Sequence, residues 1–364
     1  MDATFDPATD KLQGTATLAL GHEQVAGYTP REKTPDFKLD GQATFAADTV
    51  KGDATLQSKL DFTFDELQRV RPELTGLGQV DLTAELDASA DANQATLKTA
   101  QAELNSAEQG KLLELQTLQT VSVPLGEGEA EFPVLTGELL RLSLNQLPLS
   151  LIEPWVADMT LEGEPITTTL LLTGADDGTY TVTTPQGFAI NQLSVTRDGT
   201  ELLDKLSIAA NPTISVSETK AVVSIPSLKL TSLGVPLLEG SLDATMNPQA
   251  DEQNGHYALK AQGDLAQLLR QPVLDKFNNI TAGTFTADAQ VDFDKGGAMA
   301  LKAELQSLLL RKPMKQISRF VIDATGTLDL PEKVTLKSPI TLSTSEGGTE
   351  LNLDATLELE DEVR

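Results

Sequence analysis

Residues 284–294, TFTADAQVDFD, alternate apolar and polar side chains with almost no error. Phe285, Ala287, Ala289, Val291 and Phe293 fall on one side of an extended chain; Thr284, Thr286, Asp288, Gln290, Asp292 and Asp294 fall on the other. Side chains of a strand alternate faces with period two, so this stretch predicts a half-buried β-strand. The signal recurs from end to end. Residues 79–87 put Val80, Leu82, Ala84 and Leu86 on one face, with Asp81 and Glu85 opposite. Residues 351–360 put Leu351, Leu353, Ala355, Leu357 and Leu359 on one face, with Asn352, Asp354, Glu358 and Glu360 opposite. Weaker versions occupy 54–64, 241–246, 256–262 and 300–305.

Turn signals separate these runs, among them Asp176-Asp177-Gly178, Asp198-Gly199, Lys295-Gly296-Gly297 and Glu346-Gly347-Gly348. Pro124, Pro133, Pro185, Pro226, Pro331 and Pro339 stand where strands should begin or stop. Antiparallel strands joined by hairpins account for most of the pattern, about twenty of them at roughly 15–20 residues per strand and turn. Strands do not alternate with long helices, which excludes a parallel α/β fold.

Three stretches, 64–87, 147–174 and 263–294, break the alternation in a similar way. Each has apolar residues at helical spacing (Leu67, Val70 and Leu74; Leu151, Ile152, Trp155 and Val156; Leu265, Leu268, Leu269, Val273 and Leu274). Each then has a glycine (Gly163 and Gly283 in the last two) and a strand. The pattern predicts a degenerate unit of short amphipathic helix, glycine and long strand, loosely repeated every 80–120 residues or roughly so. Pro72, Pro154 and Pro272 should kink or divide the helices. The expected organisation is a single elongated segment over 1–364.

Composition bears on what the apolar faces meet. Aromatic residues are 4% of the chain, fewer than a tightly packed sandwich of this size uses to fill its centre. The Cys…Trp…Cys spacing of immunoglobulin domains is absent, and the scarce aromatics form no girdles of the outer-membrane-barrel kind. A long, strongly curved antiparallel sheet fits better, forming an apolar groove that is charged outside. Its lining would include Val80, Leu82, Ala84, Leu86, Phe285, Ala287, Ala289, Val291, Phe293, Leu351, Leu353 and Leu357. A seven-residue strand spans about 23 Å, enough to curl around acyl chains. Hiding a sixteen-carbon chain from water is worth roughly 13 kcal/mol, at about 0.8 per methylene.

The net charge of −27 repels phosphate backbones, which argues against nucleic-acid binding, and disfavours flat docking on anionic headgroups. There is no cysteine, which removes disulfides, thiol catalysis and thiolate metal sites. The two histidines, His22 and His256, stand alone, and no zinc motif, nucleophile elbow or phosphate loop occurs. The carboxylates alternate outward from strands, as a solvated face does, and one Trp and three Tyr offer little to stack a sugar. Residues 87–93, DASADAN, lack the glycine and terminal Glu of a calcium loop and predict a hairpin tip. We therefore expect no enzyme, no cofactor and no metal. The one dense basic patch holds Arg311, Lys312, Lys315 and Arg319. It could meet an anionic headgroup or a partner, or merely offset nearby carboxylates. No apolar run approaches the ~20 residues of a membrane-spanning helix, and residues 1–10 do not read as a signal peptide. The strand-like ends suggest a piece of a longer chain.

One stretch carries a resemblance. Leu142, Leu144, Leu147 and Pro148, then Leu151 and Pro154, then Leu161, Gly163, Leu170, Leu172 and Gly174 follow the flavour "L-x-L-x-x-L-P-L-x-x-L-x-P…L-x-G…L-x-L-x-G". This resembles the AsmA-like superfamily, which includes the TamB-type repeating β-groove proteins of diderm bacteria. Residues 193–216 give a weaker echo. The resemblance implies a periplasmic protein, tethered to the inner membrane by a segment absent from this chain, that carries phospholipid passively toward the outer membrane. It implies envelope membrane proteins as partners at the chain ends, and it transfers no catalytic residues. The rival expectation is a structural or adhesive surface protein of tandem closed β-sandwiches, each of about 100 residues.

Overall fold

A computed structural model describes residues 2–6, 10–25, 35–125, 134–153, 156, 158–250, 254–277, 279–311, 315–329, 333–344 and 347–358. The protein is all-β and antiparallel. The chain divides into two compact units, Met1–Pro154 with Pro165–Pro185, and Trp155–Glu164 with Gln186–Arg364.

Unit 1 contains β1 (Asp2–Asp6), β2 (Lys11–Gly21), β3 (Asp36–Asp48), β4 (Asp53–Asp65), β5 (Val80–Ala90), β6 (Gln94–Ser106), β7 (Gly110–Thr117), β8 (Val121–Pro124) and β9 (Gly137–Leu147). A four-residue strand of unit 2, β10 (Met159–Glu162), comes next, and β11 (Ile166–Gly174) and β12 (Tyr180–Thr183) return to unit 1. Each strand from β1 to β6 pairs with the next. Beyond β6, two shorter strands share its length: β8 pairs with Gln94–Leu97 and β7 with Gln101–Ser106. The order continues through β9, β11 and β12.

Unit 2 contains β10, β13 (Phe188–Arg197), β14 (Thr200–Ala210), β15 (Thr213–Val216), β16 (Ala221–Ser232), β17 (Val235–Met246), β18 (His256–Asp264), β19 (Ile280–Asp292), β20 (Ala298–Leu310), β21 (Lys315–Asp329), β22 (Lys333–Thr344) and β23 (Gly347–Glu358). Again neighbours in sequence pair, with β14 and β15 sharing the length of β16. Pro226 lies inside β16, not at its end. The ladder to β17 shifts register between Ile225 and Leu228, and on the other side Pro226 falls in the break between β14 and β15. Proline lacks an N–H to donate, and here no ladder bond asks for one. Pro339 lies inside β22.

The expected amphipathic helices are shorter than the spacing suggested. Residues 64–79 make two 3-10 turns, Leu67–Arg69 and Pro72–Leu77, because Arg71, which precedes proline, is extended (φ −144, ψ 115). Residues 149–151 make one 3-10 turn. The third stretch makes α2 (Leu265–Leu268) and a 3-10 turn, Pro272–Phe277; a first short helix, α1 (His22–Val25), follows β2. The Asp264 carboxylate caps α2, accepting from the Gln267 N–H at 2.9 Å. Gly283 stands within β19 rather than before it, at a register shift. Its φ is +144, and a Cβ there would lie 2.5 Å from the Leu308 side chain, so only glycine suits the position. Phe293 is likewise not in the strand. It opens a 3-10 turn, Phe293–Lys295, and its ring meets Tyr257 edge-on at 5.8 Å.

In unit 1 the described helices gather at one end of the strands; in unit 2, α2 and the Pro272–Phe277 turn precede β19 and the Phe293–Lys295 turn follows it, at the opposite end. In unit 1, Leu74, Leu77, Val80 and Leu112 form the buried cluster, with Leu67, Leu104, Leu147 and Leu151 packed against it. His22, Phe37, Phe62 and Phe64 form a chain of ring contacts at the same end. In unit 2, Ala266 and Leu269 are buried between strand ends. Buried Gln271 accepts from the Asp204 N–H at 3.0 Å and donates to the Asp204 carbonyl at 3.2 Å, pinning the helical segment to β14.

Candidate functional site

Register decides which side chains share a face, because residues directly opposite on paired strands lie side by side. In unit 1, Leu18 faces Gly41, Gly41 faces Leu60, and Leu60 faces Ala84. The row continues through Ala102, Leu115, Leu142 and Leu170. It is apolar across eight strands. Unit 2 has an equivalent row: Ala210, Leu228, Gly240, Ala261, Ala287, Ala303, Ile322, Ile340 and Leu351. Parallel rows flank it, such as Leu242, Leu259, Ala289 and Leu301. Small residues dominate the middle, with larger aliphatics alongside.

The predicted lining residues fall on these faces. Val80, Leu82, Ala84 and Leu86 share one face of β5, and Phe285, Ala287, Ala289 and Val291 share one face of β19. Val80 alone of these eight is buried, by the helical cluster at its end; the other seven are half-buried. Leu18 is 51% exposed and Leu351 57%. Protein therefore packs on one end of the unit 1 face, while among the described residues the middle of the row (Leu60, Ala84, Ala102, Leu115) stays half-buried. The side chains of Leu353 and Leu357 lie outside the described residues. Leu60, Leu115 and Leu259 belong to these rows; the weaker alternation of 54–64 and 256–262 was the signal for Leu60 and Leu259, while Leu115 lies in none of the runs named.

A cavity of about 550 Å³ lies on the apolar face of unit 1, among Ala16, Leu18, Ala43, Leu60, Leu86 and Leu115. Ligand pockets span about 300–1,000 Å³. A hollow of similar size, about 580 Å³, lies among the charged residues of unit 2, including Lys260, Asp288, Lys302, Glu304, Arg319 and Asp323. Size does not distinguish the two, but chemistry does. The charged hollow satisfies itself: Lys260 pairs with Asp288 at 3.8 Å, Lys302 with Asp323 at 4.0 Å, and Arg319 grips Glu304 through two bonds of 2.8 Å. These bonds hold the Glu304 carboxyl at about 2, down from 4.5, with help from Gln306. In the apolar cavity the aliphatic side chains dominate, and the charged lining residues Lys59 and Glu85, which alternate to the other face, pair with each other at 3.3 Å.

The polar face of unit 1 is laced in the same manner. Thr63 donates to Asp81 at 2.7 Å, Thr83 to Asp61 at 3.1 Å and Gln101 to Glu85 at 2.7 Å. Lys111 reaches both Glu103 and Glu114, which raises its own pKa and lowers that of Glu103. Of the basic patch, Arg319 is committed to Glu304 and Arg311 is exposed beyond β20. Lys312 and the side chain of Lys315 lie outside the described residues. Residues 91–93 form the β5–β6 turn, where the Asp91 carboxylate accepts from Asn93 N–H at 2.7 Å and Gln94 N–H at 2.9 Å. Among the described residues, no three His, Cys, Asp or Glu side chains gather as they would around a metal ion, and no helix is long and apolar enough to cross a membrane.

Fold and face together define an all-β protein of open antiparallel sheets, charged on one side and apolar on the other. Comparison with known proteins gives no matching family model and no matching curated protein.

Proposed function

We propose that the apolar faces hold the acyl tails of phospholipid or a similar lipid, and that the protein passes such lipids between membranes passively. The carrying observation is the set of in-register apolar rows whose middles the described protein leaves half-exposed. A tail of sixteen carbons gains roughly 13 kcal/mol on leaving water, and laying it on such a row shields both partners. Small residues along the floor, such as Gly240, Ala261, Ala287 and Ala303, leave the path smooth. Headgroups would point into solvent. The setting would be the periplasm, in keeping with the AsmA-like texture of 142–174, with a membrane tether outside this chain. Closed sandwiches would bury these rows, so the exposure of Leu18, Leu259 and Leu351 supports the open reading instead.

Native mass spectrometry of gently purified protein is expected to find bound phospholipid, and fluorescent-lipid transfer between vesicles is expected to need the apolar rows. Leu86→Asp and Val291→Asp each place a charge there and should cut transfer at least tenfold while far-UV circular dichroism stays unchanged. A lipid-free mass together with unimpaired transfer by both variants would refute the proposal.

A further inference from the structure

Two hairpin turns at one end of unit 2 share a backbone conformation and differ in sequence. Asp198-Gly199 joins β13 to β14 with φ of +50 and +75, and Leu233-Gly234 joins β16 to β17 with φ of +50 and +79. Positive φ at both central positions suits Asn, Asp and Gly and disfavours a bulky side chain. Leu233 is nonetheless held there with 72% of its surface exposed, so packing within the chain gives no reason for a leucine. Its neighbours are apolar and exposed too. Val235 is 43% exposed, and Val273, on the Pro272–Phe277 turn, is 48% exposed. Asp204 joins these pieces: Gln271 bonds its backbone twice, and the Ser232 hydroxyl donates to its carbonyl at 3.5 Å.

Cations stand beside this apolar spot. Lys205 follows Asp204, Arg270 precedes Gln271, and the Arg311 N–H donates to the Asn279 carbonyl at 2.9 Å, just past the turn that carries Val273. All three cations are exposed. On the strands of unit 2, Lys229, Lys260 and Arg319 pair with Glu239, Asp288 and Glu304; among the described residues, Lys205, Arg270 and Arg311 pair with no carboxylate. Of the exposed carboxylates on the turns here, Asp198 lies 4.0 Å from Arg197, and Asp275 is next to Lys276 in the chain. Salt screens exposed charges beyond about 8 Å at physiological ionic strength, so a surface brought to this end meets the local cations before the net charge of −27.

We propose that this end of unit 2 docks on an anionic bilayer, with Leu233, Val235 and Val273 entering the interface and Lys205, Arg270 and Arg311 meeting lipid phosphates. Aliphatic tips alone would suit a protein groove equally well. Unpaired cations next to them select a partner that is apolar and anionic at once, which is the chemistry of a phosphate-lined membrane surface. The docking surface uses none of the residues of the apolar rows and does not depend on what those rows carry.

Co-sedimentation of the full chain with vesicles tests this, using phosphatidylcholine alone and phosphatidylcholine mixed in equal parts with phosphatidylglycerol. The protein should sediment with the mixed vesicles at least tenfold more tightly than with the neutral ones, and high salt should release it. Leu233→Asn puts a residue suited to the turn in place of the aliphatic tip. It should leave the urea midpoint unchanged or higher and weaken sedimentation at least threefold. The double variant Lys205→Gln with Arg270→Gln should weaken it at least tenfold at an unchanged circular dichroism spectrum. Three results would overturn the proposal: equal sedimentation with both kinds of vesicle, wild-type sedimentation by both variants, or none with either lipid, which would point to an acidic protein as the occupant. Lipid bound in the apolar rows is read separately, by native mass spectrometry, and both variants should retain it. Failure of the docking proposal is therefore distinguishable from failure of the lipid reading.

Discussion

Truncating two leucines of unit 1 separates an uncovered face from a sealed core. Leu112 is 0% exposed and sits in the cluster with Leu74, Leu77 and Val80; Leu18 lies on the apolar row and is 51% exposed. Leucine to alanine removes three carbons, worth about 2.4 kcal/mol at ~0.8 each when fully buried. At Leu112 the void left between the 3-10 turns and the strands adds to this, for a total of about 3–4 kcal/mol. At Leu18 only half of the transfer term applies and no void forms, which leaves about 1 kcal/mol. Urea unfolding followed by far-UV circular dichroism measures both, as shifts of midpoint at unchanged slope. If Leu18→Ala costs as much as Leu112→Ala, another layer of protein covers the row and the open-face argument is wrong.

Two further outcomes follow from the polar contacts. Gln271→Ala strips both side-chain bonds from the half-buried Asp204 backbone and should cost about 1–2 kcal/mol, seen as a lower urea midpoint and faster exchange in β14. Glu304 should titrate by carbon NMR at about 2, and Arg319→Met should return it toward 4.5. Since the folded value is depressed, this contact supports the fold above about pH 4.5 and loses that support as pH falls toward 2.

Much of the architecture was legible because alternation is a local property. The runs 79–87, 256–262 and 300–305 fall on β5, β18 and β20, although the strands extend past them by up to five residues, and Asp198-Gly199 is the β13–β14 turn, with positive φ at both positions. The errors lie where non-local pairing competes with local pattern. Phe293 continues the alternation in sequence, yet the ladder from β18 ends at Asp292, and the chain turns so that the ring can reach Tyr257. Gly283 reads as a boundary but lies in a strand, because its role is to clear Leu308 on the neighbouring β20. Pro226 reads as a stop and is instead tolerated at a break shared by three other strands.

The sequence by itself determined that this is a protein of antiparallel strands with one apolar and one charged side, since strand geometry converts a period of two directly into faces. It also assigned faces within single strands, such as Val80, Leu82, Ala84 and Leu86 of β5. Only the tertiary structure decided how they combine. Register lined up Leu18, Gly41, Leu60 and Ala84 into a continuous row, and the short helices of unit 1 packed at one end of it. Whether a face is covered depends on contacts between residues far apart in the chain, and no local pattern records those.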